Sequence, residues 1–260
     1  MSHKPVWILV PGALHPGPLY QPLLDEIAKH GYETLALTNP SLAGPDQKKL
    51  TCSDDANHAR GKILQYLDQD RDVVVVCHSY GGMVSGAAVY GLSKKERLAQ
   101  GEKAGVVGHI YLSAVLDVKS IGNEVEMHPP SFLELNHPHE GLFLANDEET
   151  AIKAFYMPEV EPEHAKELAS RIRPQSILSV MSPPEGKPSW IDPNLKGKIG
   201  YIRCLRDQTL DLDLQDKFIL ASGQDWHIAD IDTGHSPFAS RPAETAEICL
   251  SLLRKFEASG

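Results

Sequence analysis

The 260 residues carry 25 Lys and Arg against 35 Asp and Glu, a formal net charge of −10, and 42% of them are hydrophobic. An acidic chain without a clustered basic face argues against nucleic acid or an anionic membrane surface as partner, and favours a neutral or weakly charged small molecule. The apolar content is enough for one sizeable core, so a single α/β domain over 1–260 with insertions is expected.

In chain order, Val6–Val10 reads as the first strand, a short β-branched run that is apolar on both faces. Leu19, Leu23, Leu24 and Ile27 mark an amphipathic helix closed by Gly31, and Thr34–Leu37 reads as a second strand. Ala56, Ala59, Ile63, Leu64 and Leu67 mark the next helix, followed by a central strand over Val73–Cys77 and a helix over Gly81–Tyr90. Val106–Leu112, Ile199–Leu205 and His227–Ile231 complete the strands, and a last helix beginning near Pro242 buries Ile248, Leu252 and Phe256. Strands alternating with helices imply a mostly parallel sheet with helices on both faces.

One region breaks this rhythm. From about Val115 to Pro188 prolines are frequent, and helical stretches at Thr150–Tyr156 and Pro162–Ile172 follow one another without a clear strand between them. The second has Pro at its first position and the stop signal Arg173-Pro174 at its end. This region, approximately 115–188, is read as an inserted helical lid over the sheet.

Cys52, Cys77, Cys204 and Cys249 are widely spaced and form no CxxC pair, the pattern of buried free thiols in a reducing compartment. The apolar run in MSHKPVWILVPG is too short for a secretory signal, and no stretch approaches the roughly 18 residues of a membrane span. A cytoplasmic protein with no membrane association is expected, and the sequence leaves room for a homodimer.

The chemistry concentrates where the central strand ends, in VVVVCHSYGG. A strand that turns sharply into a helix with Ser79 at the turn is the arrangement of the G-x-S-x-G nucleophile elbow, with Gly81 at the second glycine position and Cys77 replacing the first. The same stretch also fits a serine that caps a helix after a buried strand. A hydroxyl becomes a useful nucleophile only beside a base that a carboxylate orients, and in this fold the partners follow in the order Ser, Asp, His. RDQTLDLD offers Asp207, with Asp211 as the fallback and Asp213 beyond it, and DTGHSPF offers His235. Each has a plainer reading, Asp207 as a surface partner of Arg206 or Arg203 and His235 as a loop histidine. Two backbone N–H groups should stabilise the oxyanion, one from Tyr80 after the nucleophile and one from Ala13 in VPGALHPG after the first strand.

These segments resemble the α/β-hydrolase superfamily and, within it, the branch of small plant-type esterases and hydroxynitrile lyases. Cys77-His78-Ser79-Tyr80-Gly81-Gly82 is similar to that branch's G-H-S-x-G-G, and Pro11-Gly12-Ala13-Leu14-His15-Pro16 to its H-G-A-x-H-G. FYMPEVEPEHAKELASRIRPQS resembles the branch's lid helix, and LRDQ and DTGHSPFASRP its last third. The resemblance implies Ser79 as nucleophile, His235 as acid and base, Asp207 as its orienter, and Ala13 and Tyr80 as oxyanion donors. Pro11 and Pro16 depart from the branch in the loop that carries Ala13. His15 matches its second histidine and either contacts substrate or fills the site floor. Cyanohydrin cleavage in this branch uses a lysine directly after the catalytic histidine, where this chain has Ser236.

The expected activity is therefore that of a serine hydrolase acting on a small, largely apolar carboxylic ester or lactone through an acyl-enzyme. A non-hydrolytic lyase or cyclase, and a small-molecule receptor, are the alternatives. His15, Phe132, Tyr156 and Met181 are candidate substrate contacts, with Phe143, Phe155, Met157 and Trp190 as further apolar lining, although aromatic and Met positions in such a segment more often serve simply as lid packing. His128, His137 and His139 match no metal-ligand spacing, and neither metal nor cofactor is expected.

Overall fold

The computed structural model describes residues 4–127 and 130–259, so His128 lies outside the described residues. Six parallel strands form one sheet: β1 (Val6–Val10), β2 (Thr34–Ala36), β3 (Val73–Ser79), β4 (Val106–Ala114), β8 (Ile199–Cys204) and β9 (His227–Ile231). Their spatial order is β2-β1-β3-β4-β8-β9, which places β3 in the middle with β1 and β4 as neighbours. All six expected strands are present, and β3 runs two residues past its expected end, to Ser79 itself.

The period-two geometry of a strand divides its side chains between two cores. Trp7, Leu9, Val74 and Val76 join one apolar cluster, with Leu23, Leu24 and Ile27 of α1 (Gln21–Lys29) and Leu252, Leu253 and Phe256 of α10 (Pro242–Ala258). Val6, Ile8, Val10, Val73, Val75 and Cys77 join the other, with Ala59 and Ile63 of α2 (Cys52–Leu67) and Val84 and Ala88 of α3 (Gly81–Val89). Helices thus cover both faces, which is why the central strands read as unbroken valine rather than as alternation. Leu19 belongs to a separate 3₁₀ turn, Gly17–Tyr20, because Pro22 lacks an N–H and starts a new helix at α1. Ile248 is only half-buried on α10.

The segment between β4 and β8 corrects the expectation of an all-helical insertion. It carries α5 (Glu148–Phe155), α6 (Pro162–Arg171) and α7 (Ile177–Met181), and also an antiparallel three-stranded sheet of β5 (Leu133–Leu135), β6 (Leu142–Ala145) and β7 (Gln175–Ser176). These strands are too short for alternation to show in sequence, and β5 is largely exposed. Phe143, Phe155, Tyr156, Val160, Ala165 and Leu168 bury against the first cluster, so this segment sits on the same side as Trp7 and Leu9. Trp190 falls in the second cluster, across the sheet from Phe143 and Phe155. The remaining helices are α4 (Lys94–Ala99), α8 (Leu212–Ser222) and α9 (Pro237–Ser240).

Candidate active site

Ser79 ends β3 with φ at +52°, the left-handed region that a serine occupies only where the surroundings hold it. The turn is tight enough to exclude side chains on the following residues. A Cβ on Gly81 would stand 2.5 Å from the Val10 carbonyl oxygen, and one on Gly82 2.4 Å from that of Val115. Cys77 is tolerated before the turn because it points away, fully buried with Sγ 3.5 Å from the Ile110 carbonyl oxygen. Burial pushes its thiol pKa far up, so it is a small core residue and not a nucleophile.

Asp207 and His235 meet from loops after β8 and β9. The imidazole Nδ1 lies 2.6 Å from Asp207 Oδ2, and both side chains are almost wholly buried. The same carboxylate oxygen accepts from Ser113 Oγ at 2.6 Å, while Oδ1 accepts the amides of Thr209 at 2.7 Å and Leu210 at 2.8 Å. Burial works against the charge on Asp207. The imidazole of His235, the Ser113 hydroxyl and the Leu210 amide outweigh it and hold the carboxyl below its ordinary pKa. A carboxylate facing Nδ1 assigns the proton to that nitrogen, which leaves the Nε2 lone pair for another task.

The plainer readings of these residues do not describe them. Arg203 pairs with Asp216 and Asp230, and Arg206 with Asp232 and Glu159, so neither arginine engages Asp207. Asp211 is the N-cap of α8, accepting the Leu214 amide at 2.8 Å, and takes no part in the contact with His235. Among the described residues, Ser79 Oγ makes no hydrogen bond to His235, although the imidazoles of His78 and His235 lie 4.6 Å apart between ring centres.

The loop after β1 passes directly over the elbow. A Cβ on Gly12 would meet Ser79 Cβ at 3.1 Å and His78 Nδ1 at 2.8 Å, so glycine is required for this approach. Most amides of this loop have protein acceptors: Gly12 N–H donates to Tyr20 Oη at 2.9 Å, Leu14 N–H to Gln175, and His15 N–H to the Gly12 carbonyl. Among the described residues, the amides of Ala13 and Tyr80 donate to no protein acceptor. Two unpaired N–H groups thus flank a serine in a strained turn, an arrangement suited to receiving a negative oxygen.

Two buried histidines tie this loop to its surroundings. His78 accepts at Nδ1 from the Tyr20 hydroxyl at 2.8 Å and donates from Nε2 to the His235 carbonyl at 2.8 Å. His15 donates from Nδ1 to the Ala13 carbonyl at 2.7 Å and accepts at Nε2 from the Tyr156 hydroxyl at 2.9 Å. Burial keeps both imidazoles neutral, His15 with a pKa lowered to about 4 and His78 well below its ordinary value. His15 and Tyr156 are therefore partners of each other, each about 1% exposed. Phe132 packs edge-on against Phe155, whose ring stands 5.0 Å from that of His15. Met181 is 67% exposed at the end of α7. Among the described residues, no cluster of His, Cys, Asp or Glu could hold a metal ion, and His137 lies beside Glu134.

Sequence reading missed Ser113, the Tyr20–His78 pair and Gln175. Ser113 bears no local mark of its role, which depends on β4 and β8 being neighbours. His78 stands next to Ser79, but nothing nearby indicates that Tyr20 will reach it.

Residues 7–248 match the alpha/beta hydrolase family. The chain is 28% identical over 242 residues to alpha/beta hydrolase nvfD of Aspergillus novofumigatus (strain IBT 16806), covering 92% of each chain. Among solved structures it is similar to the methylesterase MES16 from Arabidopsis, with a TM-score of 0.72 at 20% identity, covering 96% of this chain and 99% of that one. Polyneuridine aldehyde esterase gives a TM-score of 0.74 at 17% identity with the same coverage, 96% and 99%. With a six-stranded parallel sheet carrying a serine elbow at its centre and the match spanning nearly the whole chain, the protein belongs to the alpha/beta hydrolase family.

Proposed function

We propose that this protein is a serine hydrolase that cleaves a small, largely apolar carboxylic ester or lactone. The observation that carries this reading is the buried Asp207–His235 contact at 2.6 Å, made in loops beside the strained turn that bears Ser79. Ser79 Oγ forms a bond to the ester carbonyl carbon as its proton passes to His235 Nε2. The resulting oxyanion is held by the amides of Ala13 and Tyr80. The intermediate collapses with cleavage of the carbon–oxygen bond, and the alcohol leaves with the proton from Nε2. Water then repeats the attack on the acyl-enzyme, its proton going to His235, and the acid is released as Ser79 regains its hydrogen.

Asp207 keeps His235 in the Nδ1–H form and stabilises the imidazolium formed in each half-reaction. The segment between β4 and β8 acts as the lid, with Phe155 of α5 6.1 Å from the His235 ring between centres and Tyr156 bonded to His15. Its aromatic side chains favour an apolar acyl or alcohol group. Ser236 follows His235 and carries no charge, so the cation that the lyases of this branch use is absent from that position. The named esterases among similar folds are consistent with the reading.

A serine-directed fluorophosphonate followed by peptide mapping, together with turnover of methyl, aryl and lactone substrates, tests this reading. Stoichiometric labelling at Ser79 and loss of turnover in Ser79→Ala are expected. Full turnover in Ser79→Ala removes the serine from the mechanism, and an unlabelled Ser79 redirects the protein to a binding role or a non-nucleophilic reaction.

A further inference from the structure

Leu14, next to Ala13, stands in the left-handed region at φ +64° and is fully buried. A branched side chain adopts that backbone only where surrounding bonds impose it. Both bonds come from the chain just after α6. Leu14 N–H donates to Gln175 Oε1 at 2.8 Å, and the Leu14 carbonyl accepts from the Arg173 amide at 2.9 Å.

The Gln175 carboxamide has one possible orientation. Its Nε2 donates to Ser41 Oγ at 3.0 Å and to Ser179 Oγ at 2.9 Å. Both hydroxyl protons are already committed, that of Ser41 to Asp55 Oδ2 at 2.6 Å and that of Ser179 to the Ser176 carbonyl at 2.7 Å. The two serines therefore need donors while Leu14 needs an acceptor, and only a neutral amide of this length supplies both. Asp55 continues the path. It is fully buried, accepts the Ser41 amide at 2.9 Å, and accepts the hydroxyl of Tyr80 at 2.8 Å.

One unbroken chain of buried hydrogen bonds thus runs from Leu14 through Gln175, Ser41 and Asp55 to the side chain of Tyr80. Its two ends adjoin the amides of Ala13 and Tyr80, which donate to no protein acceptor among the described residues. We propose that Gln175 is a positioning residue for the oxyanion hole, reaching from the lid to hold the Ala13 amide in register with that of Tyr80. This rests on the reading of Ala13 and Tyr80 as oxyanion donors. The tie makes the lid part of the catalytic framework as well as a cover. A donor displaced by a fraction of an ångström stabilises the transition state less while leaving ground-state binding nearly intact.

The test uses Gln175→Met, which keeps the length and removes donor and acceptor, Tyr80→Phe, which cuts the far end, and the double variant. Each is assayed with an aryl ester and a fluorophosphonate, well below its own Tm. In Gln175→Met, kcat and the rate of Ser79 phosphonylation should fall together by about tenfold or more, with KM within about threefold, since a lost oxyanion donor costs about 100- to 1000-fold. Tyr80→Phe should show the same signature more weakly, and the double variant should lose less than the product of the two. Values of kcat and phosphonylation within about twofold of the parent in Gln175→Met overturn the proposal, whatever happens to Tm, because a merely structural role moves Tm alone. If Gln175→Met does not fold, Tyr80→Phe decides by the same kinetic criterion. Failure to label Ser79 in the unsubstituted protein overturns the hydrolase reading and this one with it. Labelling with an unimpaired Gln175→Met overturns only the role of Gln175.

Discussion

The imidazole of His78 donates from Nε2 to the backbone carbonyl of His235 at 2.8 Å, so the residue before the proposed nucleophile holds the residue proposed as its base. Its other nitrogen accepts from Tyr20, which in turn accepts the Gly12 amide. The elbow, the loop over it and the histidine loop are joined through one neutral ring. Replacing His78 by alanine strands the Tyr20 hydroxyl and the His235 carbonyl, each costing about 1–3 kcal/mol when buried without a partner. We expect His78→Ala to lower the urea midpoint strongly and kcat by about tenfold or more. Tyr20→Phe, which deprives Gly12 N–H of its acceptor and His78 of its donor while keeping the ring, should do both to a smaller extent. A His78→Ala protein with parental kcat would remove the ring from the positioning of His235.

Asp207 and Asp211 are separable by experiment. Asp207→Asn faces Nδ1 with an amide that can donate to it, which favours the wrong tautomer, and kcat should fall by about 1,000- to 10,000-fold. Asp211→Ala removes the cap of α8 and should cost about 1 kcal/mol of stability with kcat unchanged. Steady-state kinetics and thermal unfolding on the two variants read both effects. Equal kinetic losses would contradict the assignment of Asp207.

Cys77→Gly tests whether the thiol matters at the elbow. The side chain is fully buried in the second core cluster and its thiol pKa is raised by burial. Removing it should cost about 1–2 kcal/mol of stability through a small cavity and added backbone freedom, while kcat stays at the parental value. Native protein should resist iodoacetamide at Cys77 and react there once unfolded. Rapid native alkylation, or a large fall in kcat, would show a role that the buried position does not explain.

Acid should destabilise the fold through its buried histidines. His15, with a pKa lowered to about 4, His109, lowered to about 3, and His78, well below its ordinary 6.5, are all shifted chiefly by burial. Their depressed folded-state pKa values mean that the unfolded chain binds more protons below 6.5, so stability rises with pH through this window and is lost as pH falls from about 6.5 toward 4. Three such groups give a slope of roughly 4 kcal/mol per pH unit at its steepest. Asp55, raised by burial, works in the opposite direction, and Asp207, lowered, adds acid sensitivity only below the ordinary carboxylate range. Urea unfolding at pH 7 and pH 5.5 should show this drop, and His109→Gln should reduce the slope by about one third. A flat profile would mean that these rings are not buried neutral.

The sequence by itself determined what is local. Runs of β-branched residues and helical periodicity located all six sheet strands and the principal helices, and the turn chemistry of Ser79-Tyr80-Gly81-Gly82 marked the elbow. The chain order of Ser79, Asp207 and His235 followed from counting the loops after strands. Periodicity and turn preference act over a few residues, so one chain suffices to read them. The strands of the inserted segment, two to four residues long, fell below that threshold. The sequence already favoured Asp207 over Asp211 from its place just after β8, and tertiary structure supplied the physical difference between them, Ser113 beside one and the Leu214 amide beside the other. Tertiary structure alone decided that His15 and Tyr156 bond to each other, across 141 residues, and that Gln175 reaches Leu14 across 161. Buried polar groups must find partners wherever the fold places them, and those pairings exist only after the sheet has closed and the inserted segment has packed on it.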